Sequence, residues 1–418
     1  MRDIDPSDPY GQTPMKPMMR TIVMFLLAAA ASASLHQRGA VAQAASLKTG
    51  DELRPIYAKP ADVADGKQFA DSACAGCHGA NGISTTTGIP DLAGQRPVYL
   101  YMELRAYQSG ARINAAMNTS VKFISDAALV KVAAYYASLD PPQPAPGAAP
   151  TFLDPVLAGK TAAATACAGC HGEAGVTTTP GFPSLVALTP QYLTTAMKAY
   201  RSGQRQNDTM KSMLAAVGDA DINHIALFYA LQKPTRAQTP APGDQQAGKA
   251  STVGCAGCHG DQGVSSNPTT PSLAGQDAGY LVAALQGYKN GARADETMKT
   301  LAGPLDDTTM KNIAAYYSAQ EPQALNIRPP PTTQEWTQKC DRCHGLNGNS
   351  TDPRIPALAA QRAEYLQTAL RAFQTGARMS AEMHAMSDVL SEDDIKNLAT
   401  YYAHQKARAV VFMPAPNK

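Results

Sequence analysis

The chain has no cysteine to spare. All eight fall in four copies of one pattern, as Cys74/Cys77, Cys167/Cys170, Cys255/Cys258 and Cys340/Cys343. None is left for a structural disulfide or a separate catalytic thiol. Charge of one sign is equally scarce as a block: 36 basic residues balance 34 acidic ones along the chain. Nothing therefore argues for nucleic acid or an anionic membrane surface as a partner. No stretch alternates polar and apolar residues as a half-buried strand does, and after residue 35 none is apolar enough to span a membrane. What remains is the composition of a soluble globular protein, 418 residues long and 44% hydrophobic, with room for two to four domains.

The cysteine pattern is CAGCHG at 74–79, 167–172 and 255–260, and CDRCHG at 340–345. C-x-x-C-H reads as covalent attachment of a c-type haem, with two thioethers from the thiols and an iron ligand from the histidine. Zinc ribbons and thioredoxin-like pairs also use C-x-x-C. A zinc site needs further Cys or His beside each pair, and these are absent. Four copies, each followed by His-Gly, favour haem.

The first cysteines are 93, 88 and 85 residues apart, and each marks the start of a shared register. Counting from that cysteine, Pro stands at +16 (Pro90, Pro183, Pro271, Pro356). A Tyr-Leu pair begins at +25, Gly stands at +36, and Arg at +38 (Arg112, Arg205, Arg293, Arg378). Met occupies +43 (Met117, Met210, Met298, Met383), and an aromatic pair +61 and +62. No insertion or deletion separates these positions in any copy. The length differences lie in Pro-rich linkers, 141–150, 233–243 and 321–331, through which helix does not run.

Apolar spacing predicts helices over 98–110 and 125–139, the first stopped by Gly110 and the second opened by Ser-Asp, and a shorter helix leading into each motif, as at 61–73. The segment between Gly82 and Gly94 reads as loop. The domains expected are 58–140, 151–233, 244–321 and 333–407. A module of this size with so much loop buries little core, so each is expected to lean on its cofactor for folding. Residues 21–35 form an apolar run behind Lys16 and Arg20, short for a membrane span and suited to a signal peptide. With cleavage after Ala33 or Ala44, residues 1–44 are the export segment; the alternative is an uncleaved anchor.

A haem iron in an electron carrier takes two strong axial ligands, and His with Met raises its potential. The motifs supply His78, His171, His259 and His344. Met102, Met197, Met213, Met310, Met379 and Met386 qualify by type, but only +43 is Met in every copy, so Met117, Met210, Met298 and Met383 are the expected distal ligands. His224, His384 and His404 stand at offsets without a consistent residue type and read as solvated helix-face residues. The +16 Pro either offers its carbonyl to the ligating imidazole or stiffens a loop. The +38 Arg either pairs with a haem propionate or is a solvated cation at a helix end. Asp341 and Arg342, which replace Ala-Gly in the fourth motif, read as a change of surface that sets haem 4 apart in potential or in docking.

The segments GIPDLAGQRPVYLYMELRAYQSGAR (88–112) and PSLAGQDAGYLVAALQGYKNGAR (271–293), with NIAAYY (312–317), resemble class I cytochromes c of the cytochrome c4 family. The resemblance spans about residues 58–407. It implies an all-α fold of four tandem class I cytochrome c domains joined by Pro-rich linkers, with four covalently bound haem c. It also implies the four motif histidines and the +43 methionines as axial ligands, and the carbonyl role for Pro90, Pro183, Pro271 and Pro356. Members of that family are periplasmic dihaem carriers built from two modules; four modules depart from this and leave the pairing open. Repeat 2 reads LVAL (185–188) where repeats 1 and 3 read LAGQ and repeat 4 reads LAAQ.

The function expected is periplasmic one-electron transfer. The donor would lie on the quinol or dehydrogenase side and the acceptor would be a redox partner such as a terminal oxidase. The chain equally suits the cytochrome subunit of a dehydrogenase complex. Membrane contact arises only through an uncleaved N-terminal segment or a membrane-bound partner. The rival class, a haem enzyme such as a peroxidase or a sulfur-compound oxidoreductase, needs an iron with a displaceable ligand. No repeat lacks its methionine; repeat 4, with Asp341, Arg342 and His384, is the place to look.

Overall fold

The computed structural model describes residues 51–144, 149–409 and 411. The apolar N-terminal segment with its proposed cleavage sites, His36, and residues 145–148 of the first linker lie outside them. Among the described residues there are helices and two isolated β-bridges but no strand, so the chain is all-α.

Each module repeats one plan. A first helix leads into the C-x-x-C-H motif: Pro60–Ala73 then Ala75–His78, Pro155–Ala166 then Ala168–His171, Gln245–Ser251 then Val253–His259, and the unbroken Thr333–His344. A loop follows, then a second helix over Pro97–Ser109, Pro190–Ser202, Ala278–Asn290 or Ala363–Gln374. In modules 1 to 3 this helix ends at the expected glycine, held left-handed at φ 78°, 84° and 82°, a conformation that costs glycine nothing. The last helix covers Asp126–Ser138, Asp219–Ala230, Asp307–Ala319 or Glu392–Ala403. The Ser125 hydroxyl accepts from Ala128 N–H and starts the first of these, as the sequence suggested.

Two features are absent from the sequence reading. A short helix of about two turns carries each +43 methionine: Ala115–Val121, Asp208–Leu214, Glu296–Ala302 and Ala381–Ser387. A 3-10 helix, Asp51–Tyr57, precedes the expected start of domain 1 and is tied to it through Arg54, which donates to Tyr101 Oη and Asp126.

The first and last helices of modules 1 to 3 cross at glycine. A Cβ on Gly66, Gly159 or Gly248 would fall 2.1, 2.0 and 2.0 Å from the carbonyl oxygens of Lys131, His224 and Asn312. Module 4 has no glycine there; Trp336 is buried instead against Leu366, Ile395, Leu398 and Tyr402. Each module has its own apolar cluster around the last helix, for example Leu129, Val132 and Tyr136, or Ile225, Phe228 and Tyr229.

The described residues form two compact units, one of those up to 150 together with those from 336 onward, and one of 151–335. Modules 1 and 4 therefore pair, and modules 2 and 3 pair. In the first pair, glutamines cross in both directions. Gln95 donates to Ala357 O (2.9 Å) and accepts from Ala357 N–H (2.8 Å), while Gln361 does the same with Asp91 at 2.9 and 3.0 Å. In the second pair only one arm exists: Gln276 binds Ser184 O and N–H at 2.9 and 2.7 Å. The LVAL departure explains this, because Leu188 stands where the reciprocal glutamine would be and packs into the module 2 core.

Candidate functional site

The four motif histidines are buried. Each directs Nδ1–H at the carbonyl of its +16 proline: His78 to Pro90 (3.0 Å), His171 to Pro183 (2.8 Å), His259 to Pro271 (2.8 Å) and His344 to Pro356 (2.9 Å). That bond fixes the ring and leaves Nε2 as the free lone pair, the arrangement a metal-ligating histidine needs. Burial pushes each imidazole below its ordinary pKa against the opposing pull of the carbonyl, so the neutral form is favoured.

Each +43 methionine is held by a cap. Asn114, Asn207, Asp295 and Ser380 stand at +40, and their side chains accept from the methionine N–H at 3.0, 2.9, 2.9 and 3.2 Å. The methionine is thus the third residue of a short helix whose start is fixed by an Asx or Ser cap. This signal was visible as an Asn, Asp or Ser three residues before every +43 Met.

The first cysteines, Cys74, Cys167, Cys255 and Cys340, are half-buried. The +62 hydroxyls of Tyr136 and Tyr229 lie beside the first cysteine sulfur of their module. With that of Tyr317, they have no hydrogen-bond partner among the described residues. A free imidazole Nε2, a cysteine pair, a capped methionine and orphaned buried polar atoms fit a covalently held haem.

The +38 arginines lie at the module interfaces, and the solvated-cation reading does not hold. Arg293 and Arg378 are buried, and Arg112 and Arg205 half-buried. Arg112 and Arg378 form one isolated bridge, Arg205 and Arg293 the other. Arg378 donates to Tyr99 Oη (2.9 Å), Arg112 to Tyr365 Oη (3.1 Å), and Arg293 to Tyr280 and Tyr200 Oη (2.8 and 3.0 Å). Glu103 binds both arginines of the first pair. The same offset is Ala196, Ala284 and Ala369 in the other modules.

The second cysteines, Cys77, Cys170, Cys258 and Cys343, are exposed, whereas the first are half-buried. The reason lies in the motif helix, which turns the histidine that follows into the module and leaves the preceding cysteine on its outer side. A thioether at that position would leave one edge of the haem near solvent. His224 is buried, not solvated: it sits on the last helix of module 2, where Gly159 crosses its carbonyl. His384 and His404 are exposed as expected. Asp341 is not merely a surface change. Its Oδ1 accepts from Tyr402 Oη (2.8 Å) and Gly348 N–H (3.3 Å), and its Oδ2 from Asn347 N–H (2.8 Å). These bonds hold Asn347 left-handed, at φ 55°, in a 3-10 turn, Leu346–Gly348, found only in this module among the described residues. Arg342 is exposed.

The profile of the family described as Cytochrome c matches residues 63–140, 156–229 and 245–326, and that of Cytochrome C oxidase, cbb3-type, subunit III matches 331–401. The chain belongs to the cytochrome c family, with modules of the cytochrome c4 type, and is a multihaem electron-transfer cytochrome with four covalent haem c. It is 33% identical over 184 residues to cytochrome c4 of Thiocapsa roseopersicina, covering 40% of this chain and 95% of that one. It is 34% identical over 172 residues to a thiosulfate dehydrogenase electron acceptor of Thiomonas intermedia (strain K12), covering 38% of this chain and 79% of that one. The structure of reduced cytochrome c4 from Pseudomonas stutzeri aligns with a TM-score of 0.36 at 24% identity, over 41% of this chain and all of that one.

Proposed function

We propose that the chain is a periplasmic electron carrier in which His78 and Met117, His171 and Met210, His259 and Met298, and His344 and Met383 hold four irons. The observation that carries this reading is the fourfold recurrence of two devices: an imidazole anchored by its proline carbonyl and a methionine anchored by its helix cap. When bound, the haems supply one-electron exchange; the protein sets potential and docking. The imidazole anchors would make each histidine a better donor to the iron, and the methionines would supply its second protein ligand, a closed set suited to electron exchange and not to substrate binding. The exposed Cys77, Cys170, Cys258 and Cys343 suit a carrier, whose cofactor edge must come near a partner protein. The chain is therefore read as a carrier rather than an enzyme. Arg112, Arg205, Arg293 and Arg378 take the propionates. Arg205 and Arg293 in particular are drawn into an interface with no ion-paired carboxylate beside them among the described residues. The donor is a dehydrogenase or quinol-oxidising complex and the acceptor a redox protein such as a terminal oxidase; the likeness to a thiosulfate dehydrogenase electron acceptor supports the dehydrogenase side. Each of the domains 58–140, 151–233, 244–321 and 333–407 carries one site, behind an export segment at 1–44.

Absorption and EPR spectra of the purified holoprotein test this. Four low-spin His/Met haems are expected, and each +43 Met→Ala variant should gain one high-spin haem that binds carbon monoxide. A high-spin or cyanide-binding haem in the unaltered protein would show an open site and overturn the carrier reading.

A further inference from the structure

Three modules have alanine directly after the first haem-linking cysteine: Ala75, Ala168 and Ala256. The fourth has Asp341. The Asp341 carboxylate is half-buried, and it turns inward onto the Tyr402 hydroxyl and the Asn347 and Gly348 N–H groups. All three donors are neutral. They keep the carboxylate in place without cancelling its charge, and that charge is felt at both Cys340 and His344.

The other charges nearby act differently. Lys339 and Arg342 flank Asp341 but are exposed, Lys339 lying over the Trp336 ring, and water screens them. Arg378 faces His344, but every module has an arginine at that offset. Asp295 acts on His259 in module 3 but is exposed. Glu103, the interface carboxylate of module 1, is neutralised by two guanidinium groups. Asp91 of module 1 is buried beside Pro90, but burial raises its pKa and the Arg362 charge opposes its own. Asp341 is thus the partly buried carboxylate of this pair that acts on a motif histidine with no ion-pair partner among the described residues.

A fixed negative charge favours the ferric over the ferrous haem and lowers the potential. We propose that Asp341 holds the haem of module 4 at a lower reduction potential than alanine would, making module 4 the electron-entry side of its pair with module 1. With haem bound, one electron from a donor protein, itself oxidised by one electron, would enter at module 4 and pass to module 1, with no bond or proton exchanged. This rests on the four-haem reading above.

Spectroelectrochemical titration of the full-length holoprotein tests it, with the Met ε-methyl NMR resonances lost in Met117→Ala and Met383→Ala assigning modules 1 and 4. Asp341→Asn keeps the shape and removes the charge; the module 4 midpoint should rise and the other three move less. Tyr402→Phe removes the hydroxyl but keeps the charge, and should move that midpoint less than Asp341→Asn does. Four unmoved midpoints in Asp341→Asn overturn the proposal, as does a wild-type module 4 midpoint above that of module 1. A pyridine haemochrome count below four in the wild type fails the underlying haem reading instead.

Discussion

Arg112 and Arg378 meet in an isolated antiparallel bridge between modules 1 and 4, and the Glu103 carboxylate accepts from both guanidinium groups. Two cations brought this close need an anion between them. The equivalent pair, Arg205 and Arg293, has none from the described residues. Glu103→Ala should therefore weaken the 1–4 pair by about 3 kcal/mol, the cost of stranding one side of a buried ion pair. Denaturant unfolding of the holoprotein should show the transition of that unit moving alone. An unchanged profile would mean that the propionates carry the whole neutralisation.

Gln361→Leu copies the natural state of module 2, where Leu188 occupies the same register. It deletes both bonds to Asp91 and strands a buried N–H, at a cost of about 1–3 kcal/mol. Amide exchange at Asp91 should accelerate, and exchange around Ser184 in the other pair should not.

Gly159→Ala puts a methyl group 2.0 Å from the His224 carbonyl oxygen. The first and last helices of module 2 must separate, at a cost of about 1–3 kcal/mol for overpacking. The variant should show a lower melting temperature, whereas Gly169→Ala in the haem motif, with open space around its Cβ position, should not.

The 3-10 segment Asp51–Tyr57 is held by a pH-sensitive tie. Burial works to raise the Asp126 pKa, but hydrogen bonds from Tyr101 and Arg54, with the Arg54 and Arg105 charges, outweigh it and hold the carboxyl below its ordinary value. A depressed carboxylate stabilises the folded state fully above its unfolded pKa, and the contribution fades as pH falls through the folded one. Docking of this segment should be constant near neutrality and loosen below about pH 4, the usual carboxylate range. Proteolysis near Arg54 across that range reads it out, and Asp126→Asn should abolish the pH dependence.

The longer helices and the proline that meets each motif imidazole were legible because they depend on local chemistry repeated four times. Pro90 and its counterparts at +16 showed one spacing throughout the chain, and their carbonyls meet the motif imidazoles. Spacing alone did not show that Cys77 and its counterparts face outward, because C-x-x-C-H fixes the order of the residues and not which side of the turn meets the core. Pairing was harder to read because it rests on contacts between residues such as Gln95 and Ala357, 262 positions apart. A trace of it was present: modules 1 and 4 share Gln-Arg at 95–96 and 361–362, where modules 2 and 3 have Leu188-Thr189 and Gln276-Asp277. His224 was misread because an offset comparison shows which residues recur, not which helix crosses over them. The same limit applies to Asp341, whose partner Tyr402 lies 61 residues downstream.

The pairing of first with last and second with third also sets an order in time. Modules 2 and 3 are neighbours in the chain and can close on each other as soon as both exist. Module 1 waits until module 4 arrives, with the surface of Gln95 and the otherwise buried Arg96 uncovered in the interval. Closing so long a loop adds little entropy cost, since that term grows only with the logarithm of length, but it does add delay. The outer pair is therefore the last part of the molecule to mature and the part most exposed to mispairing on the way.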